Sequence, residues 1–425
     1  MDNLVFSLPE AIHDDNFVFA FYYLKLPRQI DVYKKASSLA IGQTIGTWVP
    51  VPGITDNIRK KYMGRVVNIF DVPSYELDSQ DVPDLLNYIV QIAYPCENFG
   101  SDFPLLITSL LGNDASTSAQ VKLLDIVFPN QFLENFSGPK YGLKGIQEYL
   151  GISNRPILLS MIKPCTGLSP EEAKSIFYNV AKGGVDIIKD DELMGNPIYS
   201  NPVDRVKAFK EVAQQVFDET GHKVKYFVNI TSGLSDILEN IDTLEKAGAD
   251  GLMVNFSILG YSTLKYISEH TKLPILGHSA GVGIMTEGIE SGMTTPLAVG
   301  KLSRLAGADI TMINTPYGGY PLRNQKYIQT INNLVLPLKN IKPTMPSIGG
   351  GVHPGIVEKY INEVGKDIVL AAGGAIQGHN MGAIAGARAM RQAIDIVVNG
   401  GDFQNEYAQF EELENAVDRW GYISK

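Results

Sequence analysis

The chain has 425 residues, of which 44% are hydrophobic and 19% are charged. This length exceeds one small domain and leaves room for an α/β barrel of about 250 residues beside a second domain. Apolar residues never form a run of membrane-spanning length, so no membrane partner is expected. The formal net charge of −10, with acidic and basic residues interspersed, disfavours nucleic acid as a partner.

Two further features concern the cellular compartment. The first fifteen residues contain no basic region followed by an apolar core, so a secretory signal is not predicted. The two cysteines, Cys96 and Cys165, are too few for a disulfide framework. We therefore expect a cytoplasmic protein.

The first 125 residues or so mix strand and helix patterns without a strict alternation. The predicted elements are strands at 17–25, 64–70, 88–94 and 121–128 and a helix at 31–39. This mixture predicts a small α+β domain. A stretch at 129–139 that contains Asn, Gly and Pro then indicates a boundary, which gives domains at 1–137 and 138–425.

From about residue 155, short buried-strand patterns alternate with helical stretches. The predicted strands are 156–163, 185–189, 225–231, 251–256, 274–278, 309–313, 344–348 and 367–371, and the clearest helices are 170–182, 203–219, 236–247 and 355–364. Eight strands in this rhythm predict a (β/α)₈ barrel in an α/β fold. A helical tail from 383 to about 420 is expected to pack outside the barrel.

The second of these strands ends in the most informative segment, Lys189-Asp190-Asp191-Glu192. Barrels place catalytic groups at the C-terminal ends of their strands. Carboxylates this close repel one another unless a cation neutralises them, and oxygen ligands suit Mg²⁺. Lys189, if desolvated and neutral, can take up CO₂ as a carbamate, which is itself an anionic oxygen ligand. The alternative is a solvated acidic turn.

Other strand ends carry weaker signals. Lys163 follows an apolar run at 158–162, and a buried Lys with a depressed pKa can act as an acid or base. Glycines after the last two strands, at 349–351 and 373–374, let backbone N–H groups approach phosphate oxygens, although they could serve only tight turns.

Three histidines follow predicted strands. His278 lies among small residues and is the one that we expect to be functional, as a substrate donor. His353 and His379 follow glycine loops and could equally cap backbone carbonyls.

The order Lys-Asp-Asp-Glu after a buried strand resembles the activation motif of the RuBisCO large-subunit superfamily. The resemblance implies that a carbamylated Lys189, Asp191 and Glu192 hold Mg²⁺, with Asp190 as a non-ligand. The segment Ile162-Lys163-Pro164 resembles the first-strand motif of that family, which carries a catalytic Lys.

The resemblance extends over nearly the whole chain and implies a ferredoxin-like N-terminal α+β domain ahead of the barrel. It implies an active homodimer or higher even oligomer, in which Asn113 reaches the metal and substrate of the neighbouring subunit. His278 would contact the substrate. The residues implied in phosphate binding are Thr47, Trp48, Gly350, Gly351, Gly373 and Gly374.

Several departures from the carboxylase pattern matter for function. Gly42 replaces a Glu, Cys165 replaces a Lys, Ser279 replaces an Arg and Gly349 replaces a Ser, and residues 314–320 lack the Lys that a carboxylase uses to hold CO₂. These departures indicate a RuBisCO-like protein that does not fix carbon.

The chain is also similar to the methionine-salvage diketone phosphate enolases, which carry a Lys where Asn113 stands here. We therefore expect an Mg²⁺-dependent enzyme that forms an enediolate from a phosphorylated keto-sugar, by enolisation or isomerisation. Lys163 or the Lys189 carbamate would move the proton, while His278 and Asn113 orient substrate oxygens. The alternatives are a decarboxylase of a phosphorylated 3-oxo sugar acid and, in another class, a non-catalytic sugar-phosphate sensor.

Overall fold

A computed structural model describes residues 4–13, 16–46, 51–79 and 81–423. The chain divides into two compact units: Met1–Phe136 together with Gly281–Ala298, and Ser137–Ala280 together with Val299–Lys425. The segment 281–298 differs from the predicted ranges, which assigned it to the barrel. It groups with the first unit because its two-residue strand pairs with a strand there.

The strands of the second unit have three to five residues, whereas those of the first unit have six to eleven, apart from one strand of two residues. They are β1 (Phe17–Pro27), β2 (Arg65–Asp71), β3 (Leu85–Pro95), β4 (Lys122–Val127), β5 (Ile157–Met161), β6 (Ile187–Lys189), β7 (Lys225–Asn229), β8 (Gly251–Asn255), β9 (Ile275–His278), β10 (Gly292–Met293), β11 (Ile310–Asn314), β12 (Met345–Gly349) and β13 (Val369–Ala371).

The α-helices separate most of these strands and form the C-terminal tail. They are α1 (Val32–Gly42), α2 (Asp56–Tyr62), α3 (Phe103–Leu111), α4 (Asn130–Leu133), α5 (Gly142–Leu150), α6 (Pro170–Lys182), α7 (Pro202–Thr220), α8 (Leu234–Ala247), α9 (Phe256–Leu259), α10 (Tyr261–His270), α11 (Gly283–Thr286), α12 (Ser303–Leu305), α13 (Asn324–Val335), α14 (Val357–Val364), α15 (Gly374–Gln377), α16 (Ala383–Val398), α17 (Phe403–Glu406) and α18 (Glu411–Trp420). None of the helices in the described ranges combines the length and apolar character that a membrane crossing requires.

The first unit contains a mixed five-stranded sheet in the order β10-β4-β1-β3-β2. Its four long strands are antiparallel to their neighbours, whereas β10 pairs in parallel with β4. The order β4-β1-β3-β2, with helices between β1 and β2 and between β3 and β4, is the ferredoxin-like arrangement. The predicted α+β domain is therefore confirmed.

The second unit is a closed barrel of eight parallel strands in the order β11-β12-β13-β5-β6-β7-β8-β9, as predicted. Alternate residues of each strand face its interior. The buried interior cluster includes Ile157 and Leu159 from β5, Ile187 from β6 and Phe227 from β7. The same alternation turns Lys189 inward, two residues after Ile187, at the C-terminal end of β6.

Aspartates at the N-terminal ends of three strands serve stability. The carboxylates of Asp186, Asp250 and Asp309 accept backbone N–H bonds from Leu158, Tyr226 and Ile275 on the preceding barrel strand, at 2.8, 3.1 and 2.9 Å. Each of these aspartates therefore ties its own strand to the neighbouring one, at the end of the strand opposite to Lys189.

Asp186→Asn should destabilise the protein by about 3 kcal/mol, because it breaks a buried ion pair. Asp186 is 3% exposed, accepts a bidentate pair of bonds from Arg155 at 2.8 and 2.9 Å, and accepts a third from Arg391 at 3.1 Å. Burial alone would raise the pKa of Asp186, but the two arginines outweigh it and lower the pKa. Its stabilising effect is therefore complete above the unfolded pKa of about 3.9 and is lost as the pH falls further.

Thermal unfolding of the wild type and the variant, followed from neutral pH downwards, measures this difference. The exposed Asp395 on α16 supplies the control, because Asp395→Asn should change stability by only about 0.5 kcal/mol or less. Equal stability of wild type and Asp186→Asn at neutral pH would contradict the structural role.

Candidate active site

Lys189 is enclosed at the end of β6, with 1% of its surface exposed. Burial lowers the pKa of its amine, although the charges of Glu192 and Asp191 act in the opposite direction. Its Nζ donates a 2.9 Å bond to the carbonyl of Asp190. A buried amine with a lowered pKa is the form of lysine that reacts with CO₂, because the neutral amine is the nucleophile.

Lys163 lies two residues beyond the end of β5 and pairs with Asp191 across neighbouring strand ends. Its Nζ is 2.6 Å from Asp191 Oδ2 and 3.1 Å from the sulfur of Cys165. Burial would lower the pKa of Lys163, but the bonds to Asp191 and Cys165 outweigh it and the pKa is raised. The depressed pKa that a buried position can produce is therefore not found for Lys163, and the main reason is its Asp191 partner.

His278 ends β9 and faces the same cluster. Its Nε2 lies 3.7 Å from Glu192 Oε2, and its Nδ1 accepts the backbone N–H of Ala280 at 3.1 Å. Burial and the charge of Lys189 lower the pKa of His278 to about 3. The ring is therefore neutral near neutral pH, and the accepting Nδ1 leaves the proton on Nε2, where it faces Glu192.

The unmodified donor set beside Lys189 offers too few carboxylates for a hard cation in the part of the chain that the structure describes. Across the described ranges, no group of three or more His, Cys, Asp and Glu side chains could hold a metal ion. Asp191 and Glu192 supply two carboxylates next to Lys189. A carbamate there would add a third anionic oxygen ligand, which makes the set suitable for Mg²⁺.

The glycine loops follow β12 and β13 at the same end of the barrel. Gly350 and Gly351 have φ of 85° and 106°, which only glycine adopts easily, and a Cβ on Gly350 would meet open space. Gly374 begins α15 and likewise faces open space. A Cβ on Gly351 would instead meet Gly318, and one on Gly373 would collide with the sulfur of Met161, so the open space lies at Gly350 and Gly374.

The two other strand-end histidines differ from each other. His379 Nε2 bonds the carbonyl of Glu412 at 2.9 Å and its Nδ1 accepts from Met381, so it caps backbone groups. His353 is 9% exposed, and its Nδ1 has no hydrogen-bond partner among the described residues. Burial lowers the pKa of His353.

Ser279 and Gly349, two of the positions that depart from the carboxylase pattern, have the same neighbour, Met312 on β11. The hydroxyl of Ser279 donates to the Met312 carbonyl at 3.1 Å, so it is engaged by the backbone. A Cβ at Gly349 would collide with the terminal methyl of Met312. Both positions therefore contact Met312, through its carbonyl at Ser279 and through the flexible end of its side chain at Gly349.

The sixth loop, residues 315–323 after β11, is anchored to α14. Thr315 Oγ1 lies 2.9 Å from the hydroxyl of Tyr360, and the Tyr317 hydroxyl donates to Glu363. Gly318 packs so closely on the carbonyl of Gly350 that a Cβ would collide with it. This loop therefore forms a wall beside the Gly350 loop.

The first unit holds Asn113 on its surface. Asn113 is exposed and precedes a π-helical turn at Asp114–Ala119. The Gln43 side chain anchors this turn, because its Oε1 accepts the Asp114 N–H at 3.2 Å and its Nε2 donates to Ser109 O at 2.9 Å. The Asp114 carboxylate rests against Gly42, where a Cβ would collide with it. Thr47 and Trp48 lie outside the described residues.

Two residues near the cluster were missed by the sequence analysis. The Asn229 side chain donates to the carbonyls of Asp191 and Glu192, and Arg205 from α7 bonds Asp190. A signal for Arg205 did exist: it is a charged residue on the apolar face of a helix, next to the buried Val206 and Phe209.

Family models match both units. The catalytic-domain model of the ribulose bisphosphate carboxylase large chain matches residues 142–420, and the N-terminal-domain model matches residues 9–132. A ribulose bisphosphate carboxylase-like protein of Archaeoglobus fulgidus is 40% identical over 97% of this chain and 94% of its own length. A 2,3-diketo-5-methylthiopentyl-1-phosphate enolase of Geobacillus kaustophilus is 34% identical over 93% of this chain and 96% of its own.

Solved structures agree with these matches. A RuBisCO-like protein from Alicyclobacillus acidocaldarius superposes with a TM-score of 0.87 at 32% identity, over 95% of this chain and all of its own. A dimeric archaeal Rubisco from Hyperthermus butylicus has a TM-score of 0.85 at 28% identity, over 96% of each chain.

Proposed function

The chain belongs to the ribulose bisphosphate carboxylase large-chain family, and from that premise we propose that it is an Mg²⁺-dependent enzyme that enolises or isomerises a phosphorylated keto-sugar. Its relatives include named enolases of 2,3-diketo-5-methylthiopentyl 1-phosphate, which makes that diketone phosphate the first substrate to test.

The observation that carries this proposal is the environment of Lys189. The side chain is 1% exposed and its amine pKa is lowered, yet it stands beside Asp191 and Glu192 at the catalytic end of a barrel. Burying an amine beside two carboxylates brings no packing advantage over an apolar residue. The arrangement is useful once the amine has become a carbamate, because Lys189, Asp191 and Glu192 can then hold Mg²⁺, which acts as a Lewis acid on an oxyanion when bound.

The surrounding residues divide the remaining tasks. The glycine loops at 350–351 and 373–374 offer backbone N–H groups to a single phosphate. His278 carries its proton on Nε2 and can donate it to a substrate oxygen as a hydrogen bond while remaining neutral. Lys163 is positioned to move a proton once its bond to Asp191 is loosened, because that bond is what raises its pKa.

Exchange of solvent deuterium into the substrate tests this function. The diketone phosphate and related keto-sugar phosphates would be incubated in D₂O with enzyme, Mg²⁺ and bicarbonate and followed by NMR. We expect exchange at the carbon next to the carbonyl, dependent on both Mg²⁺ and CO₂ and abolished by EDTA. Conversion to the enol would identify an enolase, and exchange with interconversion of ketone isomers would identify an isomerase.

Two results would replace the proposal. Release of CO₂ from a phosphorylated 3-oxo sugar acid, with no exchange into other ketones, would indicate a decarboxylase. Tight binding of a sugar phosphate with neither exchange nor turnover, in enzyme saturated with Mg²⁺ and CO₂, would indicate a sensor.

Carbon fixation should be absent. With ribulose bisphosphate and labelled bicarbonate, we expect no label in phosphoglycerate, because residues 314–320 contain no Lys and Ser279 is bonded to a backbone carbonyl. An archaeal Rubisco assayed in parallel supplies the positive control. Stable label formed at a comparable rate would contradict our assignment of the sixth loop.

A further inference from the structure

Asp190 has a different environment from the residues on either side of it. Strand alternation turns Lys189 and Asp191 towards the barrel interior and Asp190 outwards, towards α7. The Asp190 carboxylate is buried and accepts three bonds there: from Tyr226 OH at 2.6 Å, from the backbone N–H of Asn229 at 2.8 Å and from Arg205 Nε at 3.0 Å.

Arg205 links Asp190 to the loop that follows it. The residue is 2% exposed, and its Nη2 donates to the carbonyls of Gly195 at 2.7 Å, Met194 at 3.0 Å and Asn229 at 3.1 Å. Its Nη1 donates to the carbonyl of Ser200. A single guanidinium therefore fixes both ends of the 190–200 loop against the end of β7.

Asn229 completes the connection to the candidate ligands. Its Nδ2 donates to the carbonyls of Asp191 and Glu192 at 3.1 and 3.2 Å, and its Oδ1 accepts the N–H of Thr231 at 2.9 Å. The Asn229 side chain therefore holds the backbone of Asp191 and Glu192. It belongs to the same hydrogen-bond network as Arg205.

We propose that Arg205, Tyr226 and Asn229 are positioning residues of the candidate Mg²⁺ site, which act by clamping Asp190 and the backbone of Asp191 and Glu192. This inference rests on the proposed function. The clamp neutralises the Asp190 charge and keeps its carboxylate out of the site, so that two carboxylates, rather than three, face Lys189. Outer partners of this kind typically change metal affinity by about 10- to 100-fold when they are lost.

Tyr226→Phe is the sharpest test, because it removes one oxygen and keeps the ring. That ring packs edge-on against Phe209 and Phe177, so the fold should be retained. We expect Mg²⁺ affinity, measured by calorimetry in bicarbonate, to fall by about tenfold. We also expect a weaker ¹³C-carbamate signal at equal Mg²⁺. Asn229→Ser is a second variant, which removes the bonds to the Asp191 and Glu192 carbonyls. We expect it to lower Mg²⁺ affinity by a similar factor.

Tyr149→Phe is the matched control. Like Tyr226, Tyr149 donates its hydroxyl to an aspartate, but its acceptor is the backbone carbonyl of Asp250 at 2.8 Å, at the opposite end of the barrel strands. It should bind Mg²⁺ and CO₂ like the wild type. Asp186→Asn controls for general destabilisation, because it should lose stability and keep its Mg²⁺ affinity.

The outcomes separate the clamp from the function it serves. Wild-type Mg²⁺ affinity and carbamate signal in folded Tyr226→Phe and Asn229→Ser would overturn the clamp and leave the proposed function standing. A wild-type protein that forms no carbamate and binds no Mg²⁺ would overturn both. Loss of affinity in both variants, with normal affinity in the two controls, supports the clamp.

Discussion

Lys189→Ala is expected to abolish turnover while the protein remains folded. Among the described residues the amine makes one hydrogen bond, to the Asp190 carbonyl, and its burial already opposes the charged form, so little polar stabilisation is lost with it. Loss of the buried stem costs packing, which is why a variant that keeps the volume is also needed. The bound metal is expected to supply several kcal/mol of transition-state stabilisation, so its loss should cost roughly a thousandfold or more in rate. Turnover, Mg²⁺ binding and the ¹³C-carbamate signal would be measured on the same preparations.

Two further substitutions of Lys189 test the role of its amine more directly. Lys189→Met keeps the volume of the side chain without its amine, so it should be as inactive as Lys189→Ala and at least as stable. Lys189→Glu should recover part of the Mg²⁺ binding, because a carboxylate approximates the carbamate oxygen, and it should no longer depend on CO₂. Normal Mg²⁺-dependent turnover in Lys189→Met would refute the proposal that a carbamate on Lys189 holds the metal.

The second expected result is that two inactive variants restore activity when they are combined. Lys189 lies in the barrel unit and Asn113 lies in the N-terminal unit. If the active unit is a two-fold dimer in which Asn113 serves the barrel of the other chain, a dimer of Asn113→Ala with Lys189→Ala contains one complete site. Random pairing makes half of the dimers mixed, so roughly a quarter of wild-type activity should return.

The control pairs two barrel variants, Lys189→Ala and His278→Ala. Both residues belong to the same unit, so a mixed dimer has one defect in each site and should stay inactive. The mixed dimers of Asn113→Ala and Lys189→Ala would be verified by affinity tags on both subunits. If these verified dimers show no activity, the shared site is refuted. The comparison with a dimeric archaeal Rubisco supports an even assembly as the starting point.

The elements with strong local patterns were predictable. Helix α6 begins at Pro170 and ends at Lys182, as predicted. Its beginning is fixed by a capping box of Ser169 and Glu172, whose spacing is visible in the sequence. The barrel strands were found from their apolar runs, and the position of Lys189 followed from the end of one of them. Each of these signals depends on residues a few positions apart.

What escaped prediction depends on contacts between distant residues. The strand β10 has two residues, too few for any periodic pattern, so its pairing with β4 could not be foreseen. The Lys163 partner, Asp191, lies 28 positions away and reverses the direction of the pKa shift that burial alone predicts. The clamp on Asp190 likewise joins the strand to a helix and to the following strand.

The contact between Gly42 and Asp114 restricts the order in which those two positions can change. A glutamate at 42 would displace the Asp114 carboxylate and add a second negative charge beside it, which raises the cost of ionising both. Removing the carboxylate first, as in Asp114→Ala, frees that space. The two positions are therefore coupled: a glutamate at 42 should cost less stability in an Asp114→Ala background than in the unaltered chain.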